Sequence, residues 1–179
     1  PMLAALNVNA IDELELICLP YAGGGSGSFR PLGESLRNGG QTISVFGVEL
    51  PGHDVGARNE PLVDVRVAAQ RLVTEIENNI EKPVILWGHC IGAALALEVA
   101  MLLQQAGKPA LHVFIGGKLL QPANQLRSGI AAIASMPDRD VIDWMVKETG
   151  HAELADLREE HASLLVNLFR HDASSANAY

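Results

Sequence analysis

The 179-residue sequence predicts an α/β fold: a mostly parallel sheet with helices on both faces and a helical lid. Short apolar runs alternate with helical patterns as far as about residue 117, which is typical of parallel strands joined by crossover helices. From Gln121 onward only helical patterns occur. We therefore expect a core over residues 1–120 and a helical lid region over residues 121–179.

The predicted elements of the core alternate in strand and helix order. Strands are expected at residues 14–19, 42–48, 83–87 and 111–115, and helices at 29–37, 63–79 and 93–105. In the lid, Pro137 and Asp138 are expected to open a helix that Gly150 ends, and residues 155–173 form a second helical pattern.

Composition excludes several classes of function. Hydrophobic residues make up 48% of the chain, enough for a sizeable core, but no apolar run approaches the ~20 residues of a membrane span. A net charge of −8 argues against a nucleic-acid partner. Two cysteines make no disulfide framework and no targeting segment is visible, so we expect a reduced, cytoplasmic protein. No His, Cys, Asp or Glu cluster has metal-ligand spacing, so neither a metal nor another cofactor is expected.

The strongest chemical motif is Gly-His-Cys-Ile-Gly at residues 88–92, between a predicted strand and a predicted helix. This arrangement is typical of a nucleophile elbow, in which glycines permit close strand–helix packing and a sharp turn presents the central side chain. Cys90 then occupies the nucleophile position, flanked by Gly88, His89 and Gly92. A helix N-terminus lowers a thiol's pKa, so we expect partial local activation. The alternative is an inert cysteine that packs as a small apolar side chain.

A glycine-rich segment, residues 19–28, follows the first predicted strand. Such a loop can bind phosphate or present a backbone N–H to an oxyanion. No Lys-Ser or Lys-Thr ending supports a P-loop, whereas an elbow needs one oxyanion donor from an early loop and another from the residue after the nucleophile. We therefore predict that the N–H groups of Ala22 and Ile91 form an oxyanion hole.

Three motifs in this order, Pro-Tyr-Ala-Gly-Gly at 20–24, Glu-Leu-Pro-Gly-His at 49–53 and Gly-His-Cys-Ile-Gly at 88–92, resemble thioesterases of nonribosomal peptide and polyketide assembly lines, which are α/β-hydrolases. Residues 136–142 and 168–179 resemble the lid helices of the stand-alone, type II branch. The resemblance runs from about Leu16 to the last residue.

The resemblance implies attack by Cys90 on an acyl or peptidyl thioester carried on the phosphopantetheine arm of a carrier protein. The acyl-enzyme would then be released by hydrolysis or acyl transfer. Two alternatives stay open: a Cys-elbow hydrolase of small soluble esters or lactones, and a non-catalytic domain that binds a carrier protein or acyl group. The sequence also leaves open whether the cysteine is native or replaces a serine.

The catalytic acid and histidine cannot be identified in this chain. The resemblance places both after the lid, with C-terminal strands that are expected to be missing from a chain ending at Tyr179. An alternative acid position, after the strand at 111–115, holds Gly116, Gly117 and Lys118 and offers no carboxylate.

Other residues are candidates for contact with substrate. Tyr21 belongs to the glycine-rich segment, and His53 is expected on a loop, where it either approaches substrate or is simply solvated. His89 is expected to pack beneath the turn rather than act as a base. Trp144 and Met145, with Leu164, Leu165 and Leu168, either bound an apolar acyl channel or pack the lid's own helices.

Overall fold

The computed structural model describes residues 1–54, 60–117, 129 and 131–178. In these residues the sheet contains β1 (Leu3–Asn7), β2 (Leu14–Leu19), β3 (Ile43–Val48), β4 (Val84–His89) and β5 (His112–Gly116), in the order β1-β3-β2-β4-β5. β2 pairs in parallel with both β3 and β4, and β4 pairs in parallel with β5. The predicted parallel sheet is confirmed.

Strand β1 was not expected from the sequence. It pairs antiparallel with β3 at the edge of the sheet, and the register shifts between Ala5 and Asn7. Its sequence is Leu-Ala-Ala-Leu-Asn, in which two of five residues are alanine and none is β-branched. Strand propensity is therefore weak here, and backbone pairing with β3 determines the conformation.

The helices are α1 (Arg30–Asn38), α2 (Val65–Asn79), α3 (Gly92–Gln105), α4 (Asp138–Thr149) and α5 (Glu159–Ala178). Alternate side chains of β2 point to opposite sides of the sheet, as strand geometry requires. Ile17 and Leu19 pack in the cluster formed with α2 and α3. Leu16 and Cys18 pack on the other face with the residues of α1 and with Phe29. Helices therefore cover both faces of the sheet, as predicted.

The lid differs from the expected pattern at one point. α4 ends at Gly150, whose left-handed backbone (φ 76°) and N–H bond to the Val146 carbonyl confirm the predicted stop. The second lid helix was expected from residue 155, but a 3-10 turn occupies Ala152–Asp156 and α5 begins at Glu159. Neither Gly nor Pro marks this break, so the sequence carried no breaker signal for it.

The predicted boundary between residues 120 and 121, like Lys118, lies outside the described residues. α5 packs over the carboxyl edge of the sheet, since a Cβ added to Gly23, in the loop after β2, would lie 3.0 Å from Leu165 Cδ1. No helix in the described part of the chain is both long and apolar enough to cross a bilayer.

Candidate active site

Cys90 lies in the turn between the end of β4 and the start of α3. Its φ is 55°, a left-handed conformation that is strained for any residue with a Cβ and is typical of functional turns. The Cys90 N–H donates to the Gly116 carbonyl at 2.7 Å, so the end of β5 holds the turn from the neighbouring strand. The residue is exposed, which places the thiol where a substrate can reach it.

The glycines on either side of Cys90 are required by close backbone packing. A Cβ added to Gly88 would lie 2.5 Å from the Gly92 carbonyl oxygen, and one added to Gly92 would lie 2.5 Å from the Pro20 carbonyl oxygen. Contacts this short leave no room for a methyl group between β4, α3 and the loop after β2. The predicted elbow geometry is confirmed.

The pKa of the Cys90 thiol is raised, although its position at a helix N-terminus predicted a lowered pKa. Desolvation by the protein packed around it raises its pKa above the ordinary value of 9.0, and the Ile91 N–H lowers the pKa by a smaller amount. The expectation of a lowered pKa is therefore wrong in net direction. Desolvation depends on which atoms pack around a group in the folded protein, and no local sequence pattern records it.

The two predicted oxyanion donors lie in loops that follow neighbouring parallel strands. Ala22 comes three residues after the end of β2 and is 3% exposed. No acceptor for its N–H is found among the described residues. Ile91 directly follows Cys90, and its N–H lies against the thiol. The carboxyl ends of parallel strands meet at one edge of the sheet, so the two loops flank the elbow, although the oxyanion role itself stays a prediction.

Side chains from distant parts of the chain hold the glycine-rich loop in place. The Gly23 N–H donates to Asp172 Oδ2 at 2.8 Å, and the Ser26 N–H donates to Glu49 Oε2 at 3.0 Å. Sequence reasoning missed both carboxylates as parts of the site. For Asp172 a signal was present: it lies on the face of α5 that carries Leu165 and Leu168, and a carboxylate on an apolar helix face needs a buried partner.

His53 is neither solvated nor a free loop residue, which corrects one of the two expectations for it. Its side chain is 4% exposed, its Nε2 lies 2.8 Å from Asp172 Oδ2, and its Nδ1 lies 3.2 Å from the Pro51 carbonyl oxygen. His53 lies between the loop after β3 and α5. Asp172 Oδ2 contacts both His53 and the Gly23 N–H, and it thereby links His53 to the glycine-rich loop. A substrate-lining position is not supported by this burial.

His89 and Tyr21 form an exposed pair beside the elbow. The rings meet edge to face with centroids 5.8 Å apart. His89 is exposed, so the expectation that it packs beneath the turn is wrong. Strand alternation puts it on the same side as Ile85 and Trp87, but at the last position of β4, beyond the side chains that cover that face. Tyr21 is half-buried and its hydroxyl lies 3.3 Å from Ser28 Oγ.

Met145 and Trp144, proposed to bound an acyl channel, both contact other residues of the lid, which favours the second alternative. Met145 is 5% exposed and packs inside the lid with Val141, Ile142 and Val166. Trp144 is 37% exposed, and its ring lies at a tilt of 56° to that of Phe169 in the lid itself, with centroids 5.7 Å apart. Both therefore follow the second alternative, packing of the lid's own helices.

A small, mainly apolar cavity does lie between α5 and the core, next to the start of α3. Its walls include Pro20, Pro51, Ile91, Gly92, Asp172 and Ser175. Of the predicted site residues, Ile91 and Gly92 line it. The elbow thus has open space on its inner side, under the lid.

Gly117 follows β5, at the position considered for a catalytic acid, and it lies close to the main chain of Cys90. Gly117 has φ 111°, and a Cβ there would lie 3.2 Å from both Cys90 N and Cys90 Cα. A side chain at this position would therefore be tightly packed against the main chain of Cys90. Among the described residues, no group of three or more His, Cys, Asp or Glu is placed to hold a metal ion.

Comparisons with known proteins agree with this geometry. A thioesterase domain family model matches residues 14–178. The gramicidin S biosynthesis protein GrsT of Aneurinibacillus migulanus is 28% identical over 174 residues, which cover 97% of this chain and 66% of GrsT. The medium-chain S-acyl fatty acid synthase thioesterase of Rattus norvegicus is 31% identical over 118 residues, covering 65% of this chain and 44% of that protein.

Solved structures give the same result. The type II thioesterase BorB from the borrelidin biosynthetic cluster matches with a TM-score of 0.78 at 24% identity, over 99% of this chain and 70% of BorB. YbtT, a type II thioesterase from the yersiniabactin NRPS/PKS pathway, matches with a TM-score of 0.76 at 27% identity, over 100% and 70%. The chain spans about two thirds of the length of GrsT and of these structures. With its α/β-hydrolase sheet, its elbow and its helical lid, the chain belongs to the thioesterase domain family.

Proposed function

We propose that this protein is a type II-like thioesterase that accepts acyl or peptidyl groups from the phosphopantetheine arm of a carrier protein onto Cys90, in nonribosomal peptide or polyketide biosynthesis. The observation that carries the proposal is the strained, exposed Cys90 between β4 and α3, with the Ile91 N–H against its sulfur. Family membership and the printed pathways of GrsT, BorB and YbtT support the choice of substrate.

The first chemical step is a transfer between thiols. The Cys90 thiolate attacks the thioester carbonyl carbon, a new C–S bond forms, and the carbonyl oxygen becomes an oxyanion held by the Ala22 and Ile91 N–H groups. The C–S bond to pantetheine then breaks, and the departing sulfur takes up the proton that Cys90 has lost. Since one thioester replaces another, this step is close to balanced in free energy, and release depends on a later attack by water or another nucleophile.

The raised pKa of Cys90 limits how the step begins. No histidine or carboxylate in the described part of the chain forms a hydrogen bond with the Cys90 sulfur. Within the described residues, burial and the Ile91 N–H are what act on the pKa of Cys90, so for this chain we expect the acylation rate to follow the thiolate population.

This same pKa favours a second candidate function, a non-catalytic domain that binds acyl chains or a carrier protein. Such a domain needs an accessible elbow but no reactive sulfur. The small-ester hydrolase has no separate support, because no observation on the described residues favours it over the other two functions.

Intact-protein mass spectrometry after incubation with a short acyl-pantetheine thioester tests the proposal. We expect one acyl adduct, mapped to Cys90 by peptide digestion and absent in Cys90→Ala. Cys18 serves as an internal control, because it is fully buried in β2 and burial raises its pKa to about 12. Iodoacetamide treatment in parallel reports whether the sulfur is accessible.

The two candidate functions give different results. Alkylation of Cys90 without any acylation, at pH values where the thiolate is present, would contradict the thioesterase proposal and favour the binding domain. Acylation from a carrier-loaded thioester that is faster than from the free pantetheine thioester would support a carrier protein as the partner.

A further inference from the structure

Asp172 is a buried carboxylate that connects the lid to the loop after β2. It is 4% exposed, and its Oδ2 accepts the Gly23 N–H at 2.8 Å and lies 2.8 Å from His53 Nε2. Its Oδ1 lies 3.2 Å from Nδ1 of His171, the residue before it on α5. Burying a charge is costly unless it is paired and hydrogen-bonded, and both oxygens of Asp172 have such partners.

His53 is oriented to complete this arrangement. Its two ring nitrogens face the Asp172 carboxylate and the Pro51 carbonyl oxygen, which are both acceptors, so only the doubly protonated ring donates to both. Burial alone lowers the pKa of His53, but the hydrogen bond and charge of Asp172, with the Pro51 carbonyl and the charge of Glu49, raise it above its ordinary value of 6.5. His53 and Asp172 therefore form a buried hydrogen-bonded pair in which the carboxylate favours the protonated imidazole.

Gly23, the glycine-rich loop residue that donates to Asp172, directly follows Ala22, a predicted oxyanion donor. Gly23 has φ 70°, and α5 packs so closely on it that an added Cβ would lie 3.0 Å from Leu165 Cδ1. The hydrogen bond to Asp172 fixes the Ala22–Gly23 peptide plane, which is the plane that follows the Ala22 N–H. Glu49 holds the other end of the loop through Ser26, but it belongs to the core and not to the lid.

We propose that Asp172 is a positioning residue that aligns the Ala22 N–H for the oxyanion only while the lid helix is docked. The inference rests on the proposed function, because it assumes the oxyanion role of Ala22. The acceptor for the Gly23 N–H is supplied by α5 itself. Displacement of α5 therefore removes that acceptor and leaves the His53 side chain without the Asp172 carboxylate. The Gly23 end of the glycine-rich loop then has no contact with Asp172 to hold it.

Two variants on α5 separate this role from ordinary lid packing. Asp172→Ala removes the acceptor of Gly23. Ser175→Ala, three residues further along, removes an equally placed acceptor, since Ser175 Oγ accepts the Val65 N–H at 2.8 Å from the start of α2. Ser175→Ala breaks one hydrogen bond between α5 and the core, whereas Asp172→Ala breaks two, with Gly23 and with His53, and only Asp172→Ala reaches the glycine-rich loop.

Three measurements are compared for each variant: amide hydrogen exchange at Gly23 by NMR, acylation of Cys90 by a pantetheine thioester, and alkylation of Cys90 by iodoacetamide. Alkylation attacks a saturated carbon and develops no oxyanion, so it reports the thiolate alone. For Asp172→Ala we expect Gly23 exchange to rise about tenfold or more. We expect acylation to fall about 10- to 100-fold, since a lost oxyanion donor costs 100-fold or more. Alkylation should stay within about twofold, and Ser175→Ala should leave all three unchanged.

Each other outcome overturns the proposal in a recognisable way. Unchanged Gly23 exchange in Asp172→Ala shows that the carboxylate does not order the loop. Faster exchange with unchanged acylation shows that loop order does not serve the oxyanion, and an equal loss in Asp172→Ala and Ser175→Ala shows a packing role only. If Asp172→Ala does not fold, Asp172→Leu carries the same comparison, because leucine has nearly the shape of aspartate but offers no acceptor to the Gly23 N–H. A wild-type protein that is alkylated but never acylated contradicts the proposed function, and it also contradicts the role of Asp172 in aligning an oxyanion donor. In that case the hydrogen-exchange data still show whether Asp172 orders the glycine-rich loop.

Discussion

Gly92→Ala introduces a single methyl group where the elbow meets the glycine-rich loop. The new Cβ would lie 2.5 Å from the Pro20 carbonyl oxygen and in still closer contact with that of Leu19, whereas ordinary contact begins near 3.4 Å. These atoms belong to the main chain, so no side chain can rotate away. Relief requires a shift of almost 1 Å, about 3.4 minus 2.5, between α3 and the end of β2.

The cost of this shift follows from the rigidity of both neighbours. Overpacking a core costs about 1–3 kcal/mol, and we expect a loss in unfolding free energy at the upper end of that range because backbone must move on both sides. With a urea m-value of about 2 kcal/mol per M, a loss of ~3 kcal/mol lowers the midpoint of urea unfolding by ~1.5 M. The control is Gly27→Ala, since a Cβ there has nothing within 4 Å and its φ is not positive.

The assay combines urea unfolding with the two reactions of Cys90. A displacement of about 1 Å in a catalytic group can cost about 100-fold in rate, so acylation should fall far more than alkylation in the molecules that stay folded. Gly27→Ala should match the wild type in rate and lie within about 0.5 kcal/mol of it in stability. A Gly92→Ala protein as stable as Gly27→Ala would refute the reasoning, because the close contact would then be absent in solution.

Three further predictions concern titration and the lid. The rate of Cys90 alkylation by iodoacetamide should keep rising with pH from neutral into the alkaline range, because burial raises the pKa of the thiol above its ordinary value. Cys18 should stay unmodified in the folded protein. His53→Gln should lose most stability below pH 6.5 and progressively less above it, measured by urea unfolding across pH. The sign follows because the pKa of His53 is higher in the folded state than its ordinary value of 6.5. Its contribution to stability is fully present at pH values below the unfolded-state pKa and is lost as the pH rises through the folded-state pKa. Arg170→Met should lower unfolding free energy by about 2 kcal/mol, since it removes hydrogen bonds to Asp138 and to two carbonyls that precede α4.

Each of these has an outcome that would contradict it. A plateau in alkylation near neutral pH would mean a stabilised thiolate at Cys90. A pH-independent difference between wild type and His53→Gln would mean that the histidine is neutral in the fold. For Arg170, the comparison variant is Arg139→Met, whose 3.4 Å ion pair with Asp143 is well exposed and worth little. Equal stability of these two variants would show that the Arg170 network does not hold the lid.

Much of the site was predictable from local sequence. Glycines at 88 and 92 around Cys90, after an apolar strand pattern and before a helical one, leave few conformations other than a tight elbow, and the structure shows that turn. Pro137 and Asp138 at the start of a helical pattern, and Gly150 after it, likewise predicted where α4 begins and ends. These are short-range properties, in which the steric demands of neighbouring residues decide the backbone.

The rest of the site depends on groups that are far apart in the chain. Asp172 lies 119 residues from His53 and 149 from Gly23, and no spacing rule connects positions at such separations. His53 was expected on a loop, which was correct, but the helix that buries it comes from the lid. Met145 showed an apolar pattern that fits a channel and a lid core equally well, and only the packing of α4 on α5 distinguishes them.

The sequence by itself determined the alternation of strands and helices, the place of the thiol at an elbow, and the loop that can face it, because apolar periodicity and glycine positions act over a few residues. The tertiary structure alone decided the antiparallel β1, the raised pKa of Cys90 and the Asp172–His53 pair against Gly23. All three depend on which atoms surround a group once the chain is packed. Desolvation and long-range hydrogen bonds are properties of that packing.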